Sequence, residues 1–147
     1  MGDPDAKAVG GEVLAALARE GGDLGTMREA LPALTAFVER FAAPGFVCRM
    51  VGGHPASDLT YEGVEGLAEA WREWGSAFEE IRFVLDEVRE SEDHIVLLGH
   101  QLATTRHEGV EIKHPSAMVW EFEGGRLTAA EFHLDRKAAL RSAGLEP

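Results

Sequence analysis

The sequence predicts an α+β domain with its helices first and its sheet afterwards, and three observations carry that expectation. From Gly63 to Phe78 apolar residues recur every three or four positions: Val64, Leu67, Ala68, Trp71, Trp74, Gly75 and Phe78. From His94 to Leu145 the chain reads as three consecutive strands joined by two turns marked with glycine. The middle strand has one nearly all-apolar face. No internal repeat, low-complexity tract or linker divides the 147 residues, so a single domain over residues 1–147 is expected.

Each element follows from local chemistry. Glu12 to Glu20 is rich in strong helix formers and stops at Gly21 and Gly22, after which Asp23 is the expected cap of a second helix reaching Phe41. Pro32 is expected to kink or divide it. Leu34, Phe37, Val38 and Phe41 share one face, and Pro44-Gly45 ends the pattern. Phe46 to Val51 is a short strand. Gly52 to Thr60 is punctuated by Gly, Pro, Ser and Asp and reads as a rim loop. After the Trp-bearing helix, Ile81 to Val88 alternates with a period near two and ends at the charged turn from Glu90 to Asp93.

Composition excludes several function classes. Fourteen basic against twenty-six acidic residues give a net charge of −12, which repels a nucleic-acid backbone or an anionic membrane surface. No apolar run is long enough to span a bilayer. A single cysteine, Cys48, excludes an internal disulfide, and the acidic start lacks the basic and apolar regions of a signal peptide. The expectation is a cytoplasmic protein. The six histidines show no close-spaced ligand motif, so neither a metal nor a cofactor is called for.

The registers of the two terminal hairpins decide which polar residues meet. A two-residue turn at Glu108-Gly109 pairs His107 with Val110 and sets Ala103 opposite His114, Gln101 opposite Ser116 and Gly99 opposite Met118. Ile112, His114, Ser116, Met118, Trp120 and Phe122 then share the inner face. The second turn, around Gly124-Gly125, admits two registers. A two-residue turn brings Glu131, His133 and Asp135 beside Trp120 and Met118. A three-residue loop with Gly125 left-handed brings Thr128, Ala130, Phe132 and Leu134 there instead. Hydrophobic matching selects the second, because the first buries two carboxylates in an apolar layer. His133 is therefore expected outside.

Three segments together carry a family resemblance: YEGVEGLAEAWREW from Tyr61, VWEFEGGRL from Val119, and FHLDRKAALRSAGL from Phe132. Over Phe41 to Leu145 the chain resembles the SnoaL-like branch of the nuclear transport factor 2-like superfamily. The resemblance implies a cone, a strongly curved and mostly antiparallel sheet wrapped around the helices, with a pocket for a small hydrophobic ligand. It also implies pairing of two copies through the outer sheet face. Some members are ketosteroid isomerases, polyketide cyclases, dehydratases or epoxide hydrolases. The carboxylates those reactions use do not carry over: Arg49, or a neighbour, and Met118 stand at the isomerase positions.

The candidate site follows from the inner face. His114 is the candidate proton carrier, with Gln101 and Ser116 placed to hold an oxygen of the ligand. Met118, Trp120, Phe132, Trp71 and Trp74 are the candidate walls, and Tyr61 and His54 contribute from the rim. His114 is open to a second reading, a histidine bonded to Ser116 or to backbone beside the ladder break at Pro115. The function expected is enclosure of a small hydrophobic molecule, with acid/base isomerisation, dehydration or cyclisation of a polyketide-, steroid- or terpenoid-like ligand as the alternative. On the outer face, Leu98, Leu102, Ala117, Val119, Leu127 and Ala129 are too apolar to meet water alone, and a homodimer partner is expected to cover them.

Overall fold

The chain opens with helix α1 (Ala6–Leu17), the short strand β1 (Asp23–Thr26) and helix α2 (Met27–Phe41). The computed structural model describes residues 5–17, 23–51, 59–76 and 78–146. Helix α2 is capped by Thr26, whose hydroxyl accepts from the Glu29 backbone N–H at 3.1 Å while the Glu29 carboxylate accepts from Thr26 N–H at 3.2 Å. This reciprocal box fixes the helix start three residues after the expected cap. Asp23 instead belongs to β1, where its carboxylate accepts from Gly25 N–H and pairs with Arg82. Pro32 lies inside α2, which remains one helix.

Strand β2 (Ala42–Val51), strand β3 (Leu59–Glu62) and helix α3 (Gly63–Gly75) follow. The Tyr61-x-Gly63-x-x-Gly66 start of α3 has a steric reason. A Cβ on Gly66 would lie 2.8 Å from the Tyr61 carbonyl carbon, so strand β3 can turn onto α3 only over a glycine. The remaining elements are β4 (Phe78–Glu90), β5 (His94–Thr105), β6 (Glu111–Glu123), β7 (Arg126–His133) and helix α4 (Arg136–Ser142).

All seven strands form one sheet in the order β1-β4-β5-β6-β7-β2-β3. Among the described residues only the β2–β7 pair is parallel. Register shifts leave Glu79 and Asp86 unpaired on β4 and Thr128 unpaired on β7, and such bulges bend a strand and strengthen its twist. The sheet is thereby curved around the helices as the family resemblance implied.

Both hairpin registers differ from the sequence reading. Thr105 N–H donates to the Val110 carbonyl, so the β5–β6 loop holds four residues rather than two. His114 consequently faces Gln101, Ser116 faces Gly99, and Met118 faces Leu97. The slip of two residues keeps every side chain on its expected face. At the β6–β7 hairpin, Glu123 pairs with Arg126 across a two-residue turn in which Gly124 and Gly125 both take positive φ, +59° and +78°. The expected three-residue loop is absent. Thr128 supplies the extra residue instead, its hydroxyl donating to the Glu121 carbonyl at 3.1 Å, and beyond it Ala130 meets Trp120 and Phe132 meets Met118. Leu127, placed outside by the sequence reading, pairs with Phe122 and is fully buried in the inner core.

Two cores result. The inner one unites the helices with the concave face through Phe37, Phe41, Trp71, Phe83, Trp120 and Phe132. The outer one joins Val96, Leu98, Ala117 and Val119 to Ala139, Leu140 and Ala143 of α4. Leu98, Ala117 and Val119 of the apolar patch that called for a partner are thus covered by the chain's own last helix. Asp135 caps that helix, accepting from Lys137 N–H at 2.9 Å, and Arg136 anchors its start by donating to the Gly99 carbonyl. No helix among the described residues is long and apolar enough to cross a membrane.

Candidate functional site

Between α2, α3 and the concave sheet face lies a cavity of about 100 Å³, counted over the positions open to the centre of a water molecule. One water needs roughly 10–15 Å³ on that scale, so the space admits on the order of ten non-hydrogen atoms. Alternation on each strand builds its walls: Ile81 and Phe83 from β4, Ile95 and Leu97 from β5, Met118, Trp120 and Phe122 from β6, and Phe132 from β7. Leu34 and Phe37 of α2 and Trp71 of α3 close it from the helical side. Phe132 stands edge-on to both Trp71, with centroids 5.7 Å apart, and Trp120, 6.4 Å apart, so these three rings hold one another in place.

The structure brings together Gln101, Ser116, Met118, Trp120, Phe132 and Trp71 from the sequence-derived set, all of which line the cavity. His114 is not among the lining residues. It lies on an exposed stretch of β6 that runs from Glu111 to Pro115, and its Nδ1 is 2.6 Å from the Pro115 carbonyl oxygen. Burial of β6 begins only at Ser116. Tyr61 packs at the edge of the inner core, but its hydroxyl donates to the Glu73 carboxylate of α3. That bond favours the protonated phenol and raises its pKa to about 12. His54 and the Trp74 side chain lie outside the described residues.

The polar content of the cavity is small. No Asp, Glu, Lys or Arg is among its described lining residues. Met118 lines it without offering a proton, and Arg49 pairs with Glu131 at 3.0 Å. Three buried polar atoms on lining residues have no hydrogen-bond partner: Trp71 Nε1, Ser116 Oγ and His133 Nδ1. Sequence reasoning placed Trp71 and Ser116 at the site but could not see that their polar atoms are unsatisfied. The walls Ile81, Phe83, Ile95 and Leu97 were missed as site residues, although the period-two alternation around them was the available signal.

His133 borders the cavity from the end of β7, while its side chain engages Glu131, its neighbour on the other face from Phe132. Its Nε2 is 2.9 Å from the Glu131 carboxylate, which also accepts from Ser142 of α4 and from Arg49. The His133 bond, with those of Ser142 and Arg49, outweighs burial and draws the Glu131 carboxyl down to about 2. This cluster pins α4 to the sheet. Cys48 is buried, and burial pushes its thiol up to about 12, which removes the thiolate a nucleophile needs. Among the described residues no three His, Cys, Asp or Glu side chains are grouped to hold a metal ion.

Residues 25–130 match the SnoaL-like domain family. No curated protein matches the chain. Among solved structures, an NTF2-like protein of unknown function from Burkholderia pseudomallei K96243 is similar over 94% of this chain and 96% of its own, with 24% identity and a TM-score of 0.64. A hypothetical protein with a ketosteroid isomerase-like fold from Catenulispora acidiphila DSM 44928, in complex with trimethylamine, is similar over 91% and 93%, with 16% identity and a TM-score of 0.58. TerC, co-crystallised with polyporic acid, is similar over 79% and 95%, with 20% identity and a TM-score of 0.54. At these identities the similarity establishes the cone fold.

Proposed function

The chain belongs to the SnoaL-like domain family, and on that premise we propose that it encloses a small, mostly apolar molecule between its helices and the concave face of its sheet. The observation that carries this reading is the cavity itself: apolar walls, an aromatic cluster of Trp71, Trp120 and Phe132, and room far beyond one water. The ligands held by TerC and by the Catenulispora protein support it by analogy of fold. The acid/base alternative draws less support, since the described lining carries no carboxylate and His114 is solvent-exposed. The same reading keeps the protein in the cytoplasm, in line with its lone cysteine. Pairing of two copies stays within it, now without the apolar patch that α4 occupies.

The test is thermal unfolding of the protein against a panel of polyketide- and terpenoid-like compounds of about ten non-hydrogen atoms, in parallel with Ala30→Leu, which adds bulk at a lining position. A ligand at about 100 times its Kd stabilises the native state by about 2.7 kcal/mol. For a chain of this length that raises Tm by roughly 5–10 °C. The expected result is a compound that does so for the parent and not for Ala30→Leu. A panel without any effect, or equal effects on both proteins, refutes the proposal.

A further inference from the structure

We infer that two copies of this chain pair edge to edge through Glu111, Ile112 and Lys113 of β6, antiparallel about a twofold axis at Ile112, so that one sheet continues into the other. This rests on the pairing of copies proposed above and moves it from the outer face of the sheet to an edge.

The open edge follows from the two registers of β6. Strand β7 reaches β6 only at Ala117, which pairs with His133, whereas β5 pairs with β6 from Glu111 onward. From Glu111 to Pro115 the strand therefore has a neighbour on one side only among the described residues, and this stretch is exposed throughout. Thr105 N–H donates to the Val110 carbonyl, so even-numbered residues of this strand turn their backbone groups toward β5 and odd-numbered ones turn them to the open side. Pro115 has no N–H, and its carbonyl already accepts from His114 Nδ1 at 2.6 Å. What remains is one N–H and one carbonyl each on Glu111 and Lys113, a row that a second strand can complete.

Charge selects the second strand and its register. With Ile112 opposite Ile112 of the second copy, Glu111 lies opposite Lys113 at both ends, and each such pair exchanges both of its backbone hydrogen bonds across the edge. A pairing centred on Lys113 sets two ammonium groups against each other and gives Glu111 the proline, which has no N–H to return. One centred on Glu111 opposes two carboxylates and gives Lys113 the Gly109 position, which lies outside the strand at φ +64° with its N–H already bonded to the Thr105 carbonyl. Only the Ile112 register satisfies every free group. Val110 and Ile112 are also two of the three large hydrophobic residues exposed among the described residues, and this pairing brings the two Ile112 side chains together. The chain is thus complementary to itself at this edge, as a twofold contact requires.

The paired segment is short, so the contact falls below the roughly 1,200–2,000 Å² of stable complexes and the dimer is concentration-dependent. Sedimentation equilibrium of the intact chain is run from about 1 μM to about 1 mM in about 0.15 M salt, where a screening length of about 8 Å removes most of the repulsion between two copies of charge −12. A monomer–dimer equilibrium is expected. Glu111→Lys and Lys113→Glu each place like charges opposite one another, and each is expected to weaken the dimer by about tenfold. Mixed in equal amounts, the two variants regain opposite charges at both ends and are expected to form a heterodimer of parental affinity. The chain carrying both exchanges, at unchanged net charge, is expected to form a homodimer like the parent's. A dimer that both single variants retain, or a mixture as weak as its components, overturns the edge contact and leaves pairing through another surface standing. A parent chain still monomeric at the highest concentration overturns the edge contact and the pairing together.

Discussion

Glu131 gives the sharpest prediction for stability, because its environment sets both a sign and a size. Its carboxylate bonds His133, Ser142 and Arg49, and its carboxyl is lowered from the ordinary 4.5 to about 2. A depressed carboxyl favours the folded state above its unfolded value and loses that contribution as pH falls toward the folded one. A gap of about 2.5 units, at 1.36 kcal/mol each, amounts to about 3 kcal/mol at neutral pH. The side chain is only 13% exposed, so solvent screening removes little of it. Between pH 7 and pH 3 about 2 kcal/mol of that contribution should disappear. Many other carboxylates titrate in the same range, so the measurement is a difference: urea unfolding of the parent and of Glu131→Gln at pH 7, 5, 4 and 3. The variant should be the weaker by about 3 kcal/mol at pH 7, and the two should converge by about 2 kcal/mol at pH 3. Stability curves that run parallel across this range would mean that Glu131 is not held as a bonded carboxylate, and that the link from α4 to the sheet through Ser142 is wrong.

Gly66→Ala should lower stability by about 1–3 kcal/mol, since the added Cβ meets backbone at 2.8 Å and neither strand β3 nor helix α3 can yield cheaply; an unchanged melting temperature would refute the close approach. Leu140→Ala should cost about 2–5 kcal/mol by uncovering Val96, Leu98 and Val119, read from urea unfolding, and a cost under about 0.5 kcal/mol would mean that α4 does not seal the outer face.

How far the fold was legible is clearest at the β6–β7 hairpin. Hydrophobic matching demanded Ala130 and Phe132 inside, while Gly124-Gly125 is the signal of a two-residue turn, and the two demands conflict if the strands run regularly. The sequence reading resolved the conflict by lengthening the turn. The protein keeps the short turn, which two glycines at positive φ make cheap, and places the extra residue at Thr128. Alternation shows that one residue must be absorbed somewhere, but a bulge and a longer loop satisfy it equally. The choice is made by local bonding, and Thr128 donates both to the Glu121 carbonyl and to its carboxylate. The misplacement of Leu127 follows from that single difference, because it precedes the bulge. The cap of α2 is a simpler case: Thr26-x-x-Glu29 forms a reciprocal box, whereas Asp23 has no Glu or Gln three residues on.

The site shows the same division between what a pattern encodes and what packing decides. Alternation along β6 assigns Ile112, His114, Ser116, Met118, Trp120 and Phe122 to one face, and a register error of two residues leaves that assignment intact. What alternation does not encode is depth. Ile112 is 41% exposed and Ser116 is 5% exposed, although both share the concave face, because burial depends on which part of the strand its neighbours in the fold cover. His114 and Ser116 are therefore indistinguishable in the sequence as inner-face polar residues, and only tertiary packing, where β7 begins to flank β6, separates a surface histidine from a buried serine. The polar chemistry of the cavity lies accordingly not in the surface imidazole of His114 but in buried polar atoms such as Trp71 Nε1 and Ser116 Oγ. An interior of this kind discriminates among ligands by their hydrogen-bonding groups, since each buried polar atom left bare in a filled cavity keeps a desolvation penalty of about 1–3 kcal/mol.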